Sequence, residues 1–282
     1  MGDYRVLPRN RYFEVIGWMN KDNHGDNKVA MVSEVDMSSC IRLREEYGQH
    51  SGLKPSYTAF VTKAVSLALL DHPYANRIPL EWPMFKRIVQ LKAVDMTVAA
   101  ERDQPGMEQG VFAATIRNTD ALDLVTLTKE LQAISDGTGA AADRWQLLKR
   151  IIASLPVPLA RMVLRVPLFF PSLWIKHRGG AVMISSPAKY GVDQVVAAWP
   201  WPLGFSFGLV KQRPVVVDGR VEPRPTMALV MSFDRRLMGG APAARFFRTV
   251  CDHIERADRE MAESGSPAAH QVDGATPTQV ED

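Results

Sequence analysis

From Ala181 to Phe233 the sequence is dominated by strand signals, punctuated by Gly191, Gly204, Gly208 and Asp218-Gly219, and Gly240 then opens a long amphipathic helix. Ala243, Phe246, Phe247, Val250, Ile254 and Ala257 fall on the inner face of that helix, with Arg245, Arg248, Asp252 and Arg256 outside. Such a helix needs a sheet or other helices to cover its apolar stripe. Pattern alone therefore reaches a mixed α/β class.

The first half alternates in the same way. Met31–Asp36 reads as a half-buried strand, and Met37–Gln49 as a helix with Arg42, Arg44, Glu45 and Glu46 on its wet side. Ser56 is placed to cap a helix over Tyr57–Leu70, where Phe60, Ala64, Leu67 and Ala68 recur at helical spacing, and Asp71-His72-Pro73 stops it. Arg87–Ala100 and Gly110–Ile116 are strand-like and flank Asp103-Gln104-Pro105-Gly106, which has the turn chemistry of a β-hairpin. Thr119–Ile134 carries an apolar stripe of Leu122, Val125, Leu127 and Leu131 and is predicted to be helical; a Gly/Ala-rich loop follows over Ser135–Ala142.

The stretch from Arg144 to Arg178 is different. It holds seven basic residues (Arg144, Lys149, Arg150, Arg161, Arg165, Lys176, Arg178) and no acidic one, with apolar pairs and triplets between them and Trp145 and Trp174 near its ends. Pro156, Pro158, Pro167, Pro171 and the central arginines interrupt it too often for a transmembrane span, which needs roughly 20 mainly apolar residues. Basic, apolar and aromatic residues together describe an interfacial helix pair. Two readings stay open: the helices pack on the domain with solvated arginines, or they face an anionic membrane surface or another anionic apolar partner.

Composition narrows the function. The 282 residues are 46% apolar and 23% charged, enough for a sizeable core. The formal charge is +3, and the stretch 262–282 contains Glu263, Asp273, Glu281 and Asp282 without a cation, so the body is more basic than the total. That excess favours anionic partners such as phosphate esters, an acidic carrier protein or an anionic membrane surface, but is too small to argue for nucleic acid. The stretch 262–282 has too little apolar content to fold and is expected to be disordered. Cys40 and Cys251 are too few for a disulfide scaffold, and no Cys/His cluster suggests zinc. The N-terminus lacks the apolar core of a signal peptide, which predicts a cytoplasmic protein.

Gly179-Gly180-Ala181-Val182-Met183-Ile184-Ser185-Ser186, Tyr190-Gly191-Val192-Asp193 and Gly208-Leu209-Val210-Lys211-Gln212-Arg213-Pro214-Val215-Val216 together resemble the catalytic core of dihydrolipoamide acyltransferases from 2-oxoacid dehydrogenase complexes. Glu34-Val35-Asp36, the helix around Phe60–Val65, Ile116-Arg117-Asn118, Ser232-Phe233-Asp234 and Gly240-Ala241 follow in the family's order, so the resemblance spans roughly residues 5 to 260. It implies an α/β (α+β) chloramphenicol acetyltransferase-like fold, a mixed β-sheet flanked by helices, and a homotrimer with active sites between neighbouring subunits. The core domain would cover 1–261, with 143–178 as a basic apolar helical insertion. Complex-bound members also carry a lipoyl domain and a subunit-binding domain; this chain begins at the core and has no lipoyl attachment, so the expectation is a stand-alone protein.

In that family the last strand ends in Ser-Phe-Asp-His-Arg-x-x-Asp-Gly-Ala, whose histidine is the general base. A thiol with a pKa of roughly 8.5 must lose its proton to attack a thioester, and a base near neutrality takes it best. Here the motif reads Ser232-Phe233-Asp234-Arg235-Arg236-Leu237-Met238-Gly239-Gly240-Ala241, so Arg235 replaces the histidine and Gly239 an aspartate that helps hold the site. A guanidinium stays protonated and cannot accept the proton. Ser185 matches the family's serine, whose hydroxyl donates to the developing oxyanion. None of His24, His50, His72, His177, His253 and His270 recreates the motif. Trp199-Pro200-Trp201-Pro202 replaces the family's Asn-Pro-Pro turn and reads as a rigid aromatic loop packing on a neighbouring subunit.

The candidate site residues are therefore Ser185, Asp234 and Arg235, with a coenzyme A thioester as the ligand that the resemblance implies and no metal. The leading reading is a protein that binds an acyl-CoA or acyl-carrier thioester with altered or weakened acyl transfer, Arg235 and Arg236 holding a substrate carboxylate or phosphate. The alternative is a catalytically inactive homotrimeric scaffold or regulatory protein. Docking through 144–178 would place either one peripherally on the inner face of the membrane.

Overall fold

The computed structural model describes residues 28–81, 86–104, 107–137, 151, 154–197 and 199–262. The N-terminal stretch with His24, the Pro105-Gly106 turn, most of the Gly/Ala-rich loop, the start of the basic segment with Trp145, and the tail from 263 with His270 lie outside the described residues.

Elements alternate as the apolar periods require. Strand β1 (Lys28–Asp36) leads into helices α1 (Ser38–Ser51) and α2 (Tyr57–Asp71). Ser56 caps α2, its hydroxyl accepting from the Ala59 amide at 3.1 Å. Lys63 is buried in α2, and its ammonium donates to the carbonyls of Asp120 (2.6 Å) and Leu122 (2.8 Å), pinning the turn on the neighbouring segment. The run Arg87–Ala100 is two strands. A short hairpin, β2 (Arg77–Glu81) with β3 (Lys86–Gln90), precedes the long hairpin β4 (Met96–Gln104) with β5 (Met107–Ile116). The break falls where the Leu91 amide turns back to the Asn76 carbonyl and the Asp95 carboxylate binds Arg117 and the Asn118 amide.

Helix α3 (Leu124–Asp136) starts five residues later than its apolar stripe predicts. Asp123 caps it by accepting from the Thr126 amide at 2.6 Å, and Asn118, at φ 48°, keeps the preceding residues in a turn. A local cap thus overrides the apolar period at Leu122. Helices α4 (Val157–Arg165) and α5 (Pro171–Arg178) come from the basic segment. Strands β6 (Val182–Ser185), β7 (Leu203–Phe207), β8 (Lys211–Val217) and β9 (Arg220–Asp234) fill the glycine-punctuated block, and α6 (Gly240–Glu255) ends it. All six residues assigned to the inner face of the last helix are buried.

Among the described residues one seven-stranded sheet runs β1-β9-β7-β6-β4-β5, with β8 paired to the first half of β9. The β4–β6 and β6–β7 pairs are parallel and the others antiparallel, so the sheet is mixed, as expected. Strand pleating separates two cores. Val182 and Ile184 of β6, Leu203, Phe205 and Phe207 of β7, and Met227, Leu229, Met231 and Phe233 of β9 join the main core with residues of α1, α2, α3 and α6. Ala181 and Met183 turn to the other face, where Ile78, Leu80, Leu91, Trp174 and Trp201 form a second core.

That second core follows the packing reading at Trp174 and takes in Trp201. Trp174 is not an interfacial anchor: it is buried, its indole N–H donates to the Gly180 carbonyl at 3.1 Å, and the Arg178 guanidinium stacks on its ring. Arg178 is itself buried rather than solvated. Trp201 packs within its own chain, its N–H donating to the Arg178 carbonyl at 3.0 Å. The apolar surface available on the end of the basic segment decided where both indoles went.

Candidate active site

The C-terminal end of β9 carries the altered motif. Asp234 is 2% exposed and lies in register with Lys28, the first residue of β1. Its carboxylate accepts from the Arg236 amide at 2.9 Å and from Nε at 3.0 and 3.1 Å, with Nη2 at 2.5 Å. Burial alone would raise the Asp234 pKa, but the Arg236 hydrogen bonds and charge hold it below the ordinary value. Arg236 is therefore paired with Asp234. Arg235, by contrast, is exposed between the end of the strand and the start of α6.

Lys28 completes this end. Its ammonium donates to the carbonyls of Trp201 and Pro202. Burial lowers its pKa to about 8, against the pull of Asp234. Sequence reasoning missed Lys28, because only the β1–β9 register brings it beside Asp234; no local motif marks it.

Ser185 ends the central strand β6 at the opposite end of the sheet's strands. It pairs with Ser206 of β7, which pairs with Val230 of β9. The neighbouring hydroxyls are engaged: Ser186 donates to the Phe207 carbonyl (2.9 Å) and Ser206 to the Val195 carbonyl (2.7 Å). Ser185 is half-buried, and its hydroxyl has no partner among the described residues. Beyond it an ion-pair network of Glu34, Asp193, Lys211, Arg213 and Thr226 ties β1, β8 and β9 to the loop after β6. Lys211 holds the Asp193 carboxyl below its ordinary pKa despite some desolvation.

Alternation places Ser185, Ser206, Val230, Ser232, Asp234 and Lys28 on one face of the sheet, the face away from α2 and α6. Along that face Asp234, the last residue of β9, is four residues beyond the row of Ser185 and two strands across, and Arg235 follows it in the turn. At roughly 3.3 Å per residue and 4.8 Å per strand, Ser185 and Asp234 are about 16 Å apart. One chain thus brings Asp234, Arg236 and Lys28 together, but not Ser185 and Arg235. The described histidines offer no substitute: His50 reaches the Glu46 carbonyl, His72 bridges Thr249 and Tyr74, His253 contacts Glu260 and Asp71, and His177 closes α5. Burial pushes the Cys40 thiol far up and that of Cys251 to about 11, so neither is a ready nucleophile. No described group of three His, Cys, Asp or Glu side chains could hold a metal ion.

The Gly-Gly entry to β6 also has a geometric cause. Gly179 has φ 78°, and a Cβ on Gly180 would lie 1.7 Å from the Asp95 carbonyl oxygen. Only this close approach lets β6 insert beside β4.

A mixed sheet packed between helices is the fold of solved acyltransferase cores. The dihydrolipoamide acetyltransferase of Azotobacter vinelandii matches over 91% of this chain and 93% of its own, with a TM-score of 0.66 at 20% identity. The cubic core of a pyruvate dehydrogenase multienzyme complex matches over the same shares, at TM-score 0.66 and 21% identity. In sequence, the probable succinyltransferase component of the 2-oxoglutarate dehydrogenase complex of Schizosaccharomyces pombe is 24% identical over 229 residues, 79% of this chain and 43% of the relative. The chain spans about half the length of the curated relatives it matches. The family model for the 2-oxoacid dehydrogenases acyltransferase (catalytic domain) matches residues 15–142 and 176–262. The chain belongs to that family, and the match passes over 143–175.

Proposed function

We propose that this protein binds an acyl-CoA thioester at a site built between two copies of the chain, with acyl transfer that is weakened or redirected. The observation that carries this reading is the separation of about 16 Å along one sheet face between Ser185 and Asp234, with Arg235 in the turn beyond it. A thioester cannot touch both within one subunit, whereas a second copy can set its strand-to-helix turn against the Ser185 end. Exposed Tyr190, Val192, Val196 and Leu209 surround that end and give a neighbouring subunit an apolar surface to cover. A closed ring of three copies, as the family resemblance implies, repeats this heterologous contact three times.

In thioester exchange the acceptor sulfur bonds to the acyl carbon, the coenzyme A sulfur leaves with its electron pair, and the acceptor's proton ends on the departing thiolate. Ser185 is positioned to donate to the intermediate oxyanion, a contact worth about 10²–10³ in rate. Arg235 cannot carry the proton, so exchange with a neutral thiol loses about 10²–10⁴. Its exposed guanidinium instead suits an anionic acyl group or acceptor. A second reading, an assembly retained as a scaffold, draws on the Asp234–Arg236 pair, which stabilises the turn without contributing a base.

Calorimetric titration with acetyl-, medium-chain and long-chain CoA, on the wild type and on Arg235→His/Gly239→Asp, tests the proposal. Wild-type binding that weakens in Ser185→Ala supports it. No wild-type binding, with binding gained in the double variant, overturns it in favour of the scaffold.

A further inference from the structure

Outside the site, helix α4 and the first five residues of α5 fall in the stretch 143–175 that the family match passes over. From Arg144 to Val192 the chain has no Asp or Glu. The pair is firmly seated: Ala160 and Trp174 are buried, Arg117 donates to the Ile175 carbonyl at 2.7 Å, and Arg178 is locked between Trp174 and Trp201. Its outward side is nevertheless apolar. Pro158, Leu159, Met162 and Arg165 form one exposed arc of α4, and Phe170, Ile175, Lys176 and His177 are exposed around α5; Met162 is 59% exposed.

We infer that this arc is a docking surface for an anionic phospholipid bilayer, lying in the interface with Leu159, Met162, Phe170 and Ile175 inserted and Arg165 and Lys176 at the headgroups. Helices of nine and eight residues span about 14 and 12 Å, far short of a hydrocarbon core of about 30 Å. The two are also bent by 111° at their break. Neither helix is long enough to cross a membrane by itself, and their bend suits lying along its surface. Apolar side chains bordered by cations, in a segment with no carboxylate of its own, match an anionic lipid surface. The same face on a second copy would bring cation against cation.

The test is co-sedimentation of the full-length wild-type protein with phosphatidylcholine vesicles, with and without about 30% phosphatidylserine. Binding is expected only to the anionic vesicles, and should be lost near 0.5 M salt, where the Debye length falls to about 4 Å. Arg165→Glu/Lys176→Glu should lower partitioning by at least about tenfold, and Met162→Ser by a few-fold, with unchanged oligomeric state and melting temperature. Lack of wild-type binding to anionic vesicles overturns the inference. So does equal binding by the charge-reversed variant, or a changed oligomeric state in Met162→Ser, which would identify a second copy as the occupant.

Discussion

Replacing Asp234 by Asn would isolate what the motif's surviving aspartate does. The substitution keeps the shape but removes the charge, turning an amide group toward Arg236 and leaving Lys28 and Arg236 without their shared anion. Removing one partner of a buried ion pair costs about 3–5 kcal/mol. Asp234 is buried, but the Arg236 side chain is 30% exposed, so water recovers part of the loss and the lower end, about 3 kcal/mol, applies. In a domain of this size that lowers Tm by about 6–12 °C. The pH dependence supplies an internal control. The folded-state pKa of Asp234 lies below its ordinary value, so its contribution is present above the ordinary carboxylate range and is lost as pH falls through the lowered value. Denaturant titrations should therefore show a wide gap between wild type and Asp234→Asn at neutral pH that narrows below about pH 4. A gap under about 1 kcal/mol at neutral pH, or one that persists undiminished in acid, would refute the assignment of Asp234 to a stabilising pair.

Two further outcomes follow from the same geometry. Lys28 has a folded-state pKa of about 8 against an ordinary value of 10.5, so the folded protein gives up a proton that the unfolded chain keeps, and stability should rise with pH between those values. Denaturation midpoints of wild type relative to Lys28→Met should climb across that window; a flat difference would remove the buried lysine from the account. Gly180→Ala places a methyl group against the Asp95 carbonyl and should cost about 3 kcal/mol or more by thermal melting, since backbone must move to admit it. Wild-type stability in that variant would mean that β4 and β6 are not so closely apposed.

The altered motif was legible through the family resemblance: Arg235 and Gly239 stand where that resemblance expects a histidine and an aspartate. The cap at Ser56 was legible from the residues themselves, because a hydroxyl two positions after Lys54 and ahead of an apolar run acts on the next few amides only. The late start of α3 was written in Asp123, but the apolar stripe through Leu122 concealed it. Trp174 and Trp201 were ambiguous for a different reason: an aromatic residue among cations carries the same local signal whether it faces a membrane, a neighbour or the second core.

Local chemistry determined the elements, the family pattern and the chemical identity of each candidate group, since strand, helix and cap depend on residues within a few positions of one another. Strand register decided the rest. It set Lys28 across from Asp234, left the Ser185 hydroxyl unspent, and put Ser185 and Asp234 at opposite ends of one face. Those relations join residues more than a hundred positions apart in some cases, and only the pairing of whole strands, driven by burial of both sheet faces, brings them into contact or keeps them apart.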